Sequence, residues 1–241
     1  MEIQVDVGDL HLPATVDLPN GPVRGGVAVL HGAEAGQRSF FCYRHLAQLL
    51  PTAGIAVLRY DRRPHVDNQD VPLDRQAGDA AAAINALRGH VGDVPIGLWG
   101  FSQGAWAASL TAARHPEQVA FLILVSSCGV SPAKQMRFGT AQQLHRHGGW
   151  RDMDFEPAPV FAQVSCPVLL FYGASDAWIP IEQSIAAWRQ ATTSTAAKLM
   201  VHRLAGCDHL PTLNGGESLA DISPQYSATL LSWLDTQLTV R

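Results

Sequence analysis

Short, wholly apolar runs recur along this chain, separated by longer stretches in which apolar residues return every three or four positions. Val27-Ala28-Val29-Leu30, Ile55 to Tyr60, Val94 to Trp99, Val119 to Val125, Val168 to Tyr172 and Lys198 to Arg203 read as strands, most of them apolar enough to be buried on both faces. Between them lie five helical patterns. Phe40 to Leu50 places Tyr43, Leu46, Ala47 and Leu50 on one stripe, and a second helix is marked by Ala77, Ala80, Ile84, Leu87 and Val91. Ala105 to His115, a segment with Ile181, Ile185 and Trp188 on one face, and a last helix from Ser223-Pro224 with Tyr226, Leu230, Leu234 and Leu238 inward complete the series. At the start, Ile3, Val5 and Val7 alternate with polar residues, Gly8-Asp9 turns the chain, and Leu10 to Leu18 returns as an antiparallel partner. The pattern predicts an α/β fold: a mostly parallel twisted sheet of about eight strands with helices on both faces.

The alternation stops at Cys128-Gly129. Residues 130–162 are more polar and contain Pro132, Gly139, Gly148-Gly149, Pro157 and Pro159, so they read as an insertion, a small helical lid with one helix over Pro132 to His145. Residues 1–241 otherwise read as a single domain, with 47% hydrophobic and 16% charged residues. A net charge of -4 with no basic cluster argues against a nucleic-acid partner. The acidic start Met1-Glu2-Ile3-Gln4-Val5-Asp6 and the lack of an apolar run of ~18 residues argue against a signal peptide and a membrane span, so a cytoplasmic location is expected. Cys42, Cys128, Cys166 and Cys207 form no C-x-x-C pair, which suggests neither zinc nor a disulfide framework.

Gly100-Phe101-Ser102-Gln103-Gly104 sits between a strand and a helix and reads G-x-S-x-G, the form of a nucleophile elbow. A serine hydroxyl needs an imidazole to take its proton and a carboxylate to orient that imidazole. In open α/β sheets such groups lie beyond the carboxyl ends of strands. Asp176 follows the strand ending at Tyr172, and His209 follows the strand ending at Arg203. The strand after the elbow leads into Ser126-Ser127-Cys128, with no carboxylate, which points to Asp176 as the acid. Asp208 and Cys207 beside His209, the pair His145 and His147, and His31 before Gly32 read instead as loop-capping, buried, exposed and structural residues respectively. His31-Gly32-Ala33 offers an oxyanion hole from the backbone N–H of Ala33 together with that of Gln103. Glu34 and Arg38 either face the pocket or pair with each other in solvent, and Phe101, Phe138, Trp150 and Trp178 are candidates for its apolar wall.

With His31-Gly32, Leu58-Arg59-Tyr60-Asp61-Arg62, Gly100 to Gly104, Gly173-Ala174-Ser175-Asp176 and Gly206 to His209, the chain resembles the α/β-hydrolase superfamily over essentially its whole length. Within it, the chain is similar to small bacterial dienelactone-hydrolase-like or prolyl-oligopeptidase-like enzymes. The resemblance implies the α/β-hydrolase fold, a Ser102, Asp176, His209 triad, and cleavage of a small-molecule ester, thioester or lactone through an acyl-serine, without metal or organic cofactor. An acyltransferase or thioesterase with the same triad, a cofactor-free C–C hydrolase or cyclase, and a non-catalytic binding protein are the alternatives. Oligomeric state is open, with a homodimer among the options. Where relatives carry a flexible glycine after Tyr-Asp-Arg-Arg, this chain has Pro64, so its loop to Leu73 is expected to shape the pocket differently.

Overall fold

Each apolar run pairs with its neighbours into a single eight-stranded sheet. In the computed structural model, which describes residues 1–241 except 68, 142–148, 194 and 240–241, the strands are β1 (Glu2–Asp6), β2 (His11–Asp17), β3 (Gly25–Leu30), β4 (Ile55–Tyr60), β5 (Ile96–Phe101), β6 (Leu122–Val125), β7 (Val168–Gly173) and β8 (Leu199–Leu204). Their order is β1-β2-β4-β3-β5-β6-β7-β8. The N-terminal hairpin joins antiparallel, and every pairing from β4 to β8 is parallel. Because side chains alternate across a strand, each strand supplies two cores. Leu58, Leu98, Leu124 and Leu170 meet α2 (Leu73–Val91), α3 (Gln103–Arg114) and α6 (Ile181–Thr192), while Val57, Trp99, Ile123 and Phe171 meet α1 (Phe41–Leu49) and α7 (Pro224–Leu238).

Most strand boundaries shift by one to three residues from the sequence reading, and two of the shifts have a clear cause. β5 runs two residues further than Trp99, into the elbow, because Gly100 pairs with Leu30 and Phe101 with Val125. β6 is shorter than its apolar run, beginning at Leu122, because its other neighbour β7 starts only after Pro167. Among the described residues, the segment between β6 and β7 holds two helices where one was expected: α4 (Pro132–Ala141) and α5 (Pro157–Phe161). Five residues are too few to show a period, which is why α5 was not visible. The predicted extension of α4 to His145, with His145 and His147, lies outside the described residues.

This segment packs on the helical layer. Phe161 is fully buried and stacks on Trp188 at 3.8 Å, and Trp150 and Phe155 abut Trp106 edge-on. Replacing Phe161 by alanine removes a buried ring and leaves a cavity, a change that typically costs about 3–5 kcal/mol. Urea unfolding of Phe161→Ala is expected to show a loss of this size with an unchanged m-value. A loss below about 1 kcal/mol would mean that α5 is not anchored through this ring.

Candidate active site

Ser102 lies between the last residue of β5 and the first of α3, at φ 52 and ψ −115. A non-glycine residue is strained there, and strain of this kind costs on the order of 1–3 kcal/mol unless its surroundings enforce it. They do so on both sides. The Ser102 N–H donates to the Val125 carbonyl at 2.9 Å, and the flanking glycines allow backbone to touch backbone. A Cβ on Gly104 would stand 2.7 Å from the carbonyl oxygens of Leu30 and His31, and one on Gly100 would stand 2.5 Å from the Gly104 oxygen.

The side chains of Ser102, His209 and Asp176 form one hydrogen-bonded line. His209 Nε2 is 3.0 Å from Ser102 Oγ, and His209 Nδ1 is 2.9 Å from Asp176 Oδ2. The Asp176 side chain is fully buried and that of His209 is 13% exposed. Burial alone would raise the Asp176 carboxyl. The positive form of His209, its hydrogen bond and the Trp178 N–H at 2.8 Å together outweigh that and hold it below the ordinary carboxylate range. Asp176 therefore stays ionised, which favours the Nδ1–H tautomer of a neutral His209 and leaves Nε2 as an acceptor facing Ser102 Oγ.

Ser126 was not singled out by sequence reasoning. It directly follows β6 as Ser102 follows β5, also with positive φ, and its hydroxyl donates to the His209 carbonyl at 2.8 Å. Its signal was available: Ser126-Ser127 stands where a carboxylate was sought. Asp208 accepts the Leu210 N–H at 3.1 Å and so caps its own loop, and Cys207 is buried. His31 is buried and bonds the Tyr60 carbonyl at 2.6 Å, with burial lowering its pKa to about 4. The Tyr43 hydroxyl accepts the Gly32 N–H and donates to the Ala35 carbonyl, pinning the loop that contains Ala33. Gln103 opens α3, so its N–H has no acceptor within the helix. Among the described residues, no group of three or more His, Cys, Asp or Glu is placed to hold a metal ion.

Ser102 and His209 open into a cavity of about 390 Å³. Of the residues expected around it, Ala33, Glu34, Phe101 and Trp178 line it, whereas Phe138 and Trp150 are not among its walls. Trp150 points to the helical layer, against Trp106 at 6.3 Å. Glu34 and Arg38 do not pair: Arg38 binds Asp61 and, at 2.9 Å, Glu2. Phe40 and Phe41, read from sequence only as the start of a helix, also line the cavity, together with Leu210 and Glu217. The described residues of the loop after Pro64 are not among its walls, and Asp70 in that loop lies against the side chain of Gln103 at 2.5 Å.

The model of the α/β-hydrolase fold family matches residues 27–164, more than half of the chain. The chain belongs to the α/β-hydrolase fold family. Among solved α/β-hydrolase structures, Est1E from Butyrivibrio proteoclasticus superposes with a TM-score of 0.75 at 17% identity, over 99% of each chain. Dienelactone hydrolase from Anabaena variabilis ATCC 29413 gives a TM-score of 0.65 at 20% identity, over 99% of this chain and 96% of that one. The acylaminoacyl peptidase of Pyrococcus horikoshii gives 0.78 at 13% identity, over 98% of this chain but 41% of that longer one. No curated protein matches the sequence. No helix among the described residues is long and apolar enough to cross a membrane.

The lowered pKa of Asp176 has a thermodynamic sign. A carboxyl whose folded pKa lies below its unfolded value of about 3.9 adds stability that is complete above that pH and vanishes as pH falls through the folded value. The stability difference between wild type and Asp176→Asn is therefore expected to be greatest near neutrality and to shrink below about pH 4. Denaturation curves from pH 7 to pH 3 test this, and a difference that stays flat contradicts the assigned hydrogen bonds.

Proposed function

We propose that this chain is a serine hydrolase that cleaves a carboxylic ester, thioester or lactone through an acyl-serine intermediate. The observation that carries this reading is the continuous line from Ser102 Oγ through His209 to Asp176 at 3.0 and 2.9 Å, standing in a cavity. His209 Nε2 takes the serine proton as Oγ bonds to the acyl carbon, and the carbonyl oxygen becomes an oxyanion facing the N–H groups of Ala33 and Gln103. Collapse of the tetrahedral adduct breaks the bond to the alcohol or thiol, which leaves with the proton held by His209. Water then attacks the acyl-serine, giving its proton to His209, and a second collapse releases the acid and returns that proton to Ser102. The positive end of α3 adds to the field at the oxyanion.

The fold neighbours support the same chemistry, since they include a dienelactone hydrolase and a cold-adapted esterase from an Arctic intertidal metagenomic library. Est1E has also been solved with ferulic acid bound. Among the described residues of the insertion, Gln135 of α4 reaches the cavity wall by donating to the Trp178 carbonyl at 3.4 Å. Most of the described wall comes from the loops at 33–41 and 208–217, and we assign substrate selection to them. Their side chains in the cavity wall are aromatic, aliphatic or acidic, with Glu34, Asp208 and Glu217 as carboxylates and no lysine or arginine.

A fluorophosphonate is expected to label wild-type protein at Ser102 and to leave Ser102→Ala unlabelled, with Ser102→Ala or His209→Ala losing on the order of 10⁴-fold or more in kcat on p-nitrophenyl esters. Equal labelling of wild type and Ser102→Ala would sink the reading. Among esters of similar length, one with a terminal carboxylate on its acyl chain is expected to have a lower kcat/KM than its uncharged analogue. Because Glu34 and Glu217 are exposed, added salt should narrow the gap. A preference for the anionic ester would contradict the acidic lining.

A further inference from the structure

Arg62 follows β4 at the edge of the site, and its side chain is only 6% exposed. Three of the four hydrogen bonds from its two terminal nitrogens go to the segments that carry the proposed oxyanion hole, and the fourth goes to Asp70. Nη1 donates to the Ala33 carbonyl at 2.9 Å and to the Gly32 carbonyl at 3.4 Å. Nη2 donates to Gln103 Oε1 at 2.7 Å and to the Asp70 carboxylate. Asp70, 5% exposed, closes the ring by accepting Gln103 Nε2 at 2.5 Å, and its own N–H is tied to Gly149 at 2.8 Å.

We propose that Arg62 is a positioning residue that sets both oxyanion donors, the N–H groups of Ala33 and Gln103, at once. The inference rests on the hydrolase reading given above. The Gly32 carbonyl and the Ala33 N–H belong to one planar trans peptide and point in opposite directions. Holding the carbonyl on the Arg62 side therefore turns the N–H away from Arg62, toward the cavity that Ala33 lines. The cation also polarises that peptide, making its N–H a stronger donor. On the other side, Arg62 and Asp70 grip the Gln103 amide from both ends, so the first residue of α3 cannot swing.

A merely structural ion pair explains the arrangement less well. A buried pair adds little net stability over apolar packing. Here the four hydrogen bonds of Arg62 all come from its terminal nitrogens, and among the described residues its Nε–H has no partner. Lysine carries a point charge on a single nitrogen and cannot reach four acceptors spread around a planar fork.

The test compares wild type, Arg62→Lys and Gln103→Met, with p-nitrophenyl acetate as substrate and phenylboronic acid as a tetrahedral-adduct inhibitor, all normalised to the concentration of folded protein. Arg62→Lys is expected to lower kcat about 10- to 100-fold with little change in KM, and to weaken boronate binding by a similar factor. Gln103→Met keeps the Arg62–Asp70 pair and is expected to show the same two effects at about 3- to 10-fold. If Arg62→Lys does not fold, Gln103→Met decides by the same readouts. Variants that lose melting temperature but keep wild-type kcat and boronate affinity would show a structural role only and overturn the proposal. A wild type that neither hydrolyses esters nor reacts with fluorophosphonate would instead overturn the hydrolase reading, and this inference with it.

Discussion

The site depends on one contact, the approach of the first turn of α3 to the end of β3. At Gly104 the helix backbone lies against the carbonyls of Leu30 and His31 at a distance that no side chain tolerates. That approach seats the start of α3 beside the loop that follows β3, so the N–H of Gln103 and the N–H of Ala33 belong to one corner. It also forces the chain through Ser102 into a conformation that only tight packing sustains. The strain at the elbow and the close approach of α3 to the end of β3 are thus a single geometric fact.

Around this corner, each polar group is held by another that is itself buried. Asp176 orients His209, and Ser126 holds the His209 carbonyl. Tyr43 spans Gly32 and Ala35, and Arg62 with Asp70 encloses Gln103. In a low-dielectric setting such bonds are strong and a missing partner is expensive, so the groups support one another or fail together. The strained serine is tolerable because the sheet beneath it is fully apolar on both faces, with β3, β5, β6 and β7 buried along their length.

The walls of the cavity follow a different logic. They come from loops after β3 and β8, and the described part of the insertion rests on the helical layer through Phe161, Trp150 and Phe155. Trp150 and Phe155 pack against Trp106 of α3, and Phe161 against Trp188 of α6, which removes Trp150 from the pocket it was expected to line. Phe40 and Phe41 take that place from the start of α1.

Much of this was legible in the chain itself. Strands and helices followed from periodicity, because a buried parallel sheet needs unbroken apolar runs and its covering helices need an apolar stripe. The G-x-S-x-G corner with an acid and a histidine after later strands was equally readable, since the end of a strand in this topology is a fixed place in space. The roles of Arg62 and Asp70 were not readable, because they act through partners that lie far away in sequence and share no spacing rule, and Ser126 was marked only by its place after β6. The wall residues were also out of reach: an aromatic side chain reads alike whether it faces a cavity or a neighbouring helix. Backbone periodicity thus determined the sheet and the order of the candidate triad. Only the packing of loops on one another decided which side chains surround Ser102, since contacts between distant segments leave no period in the sequence.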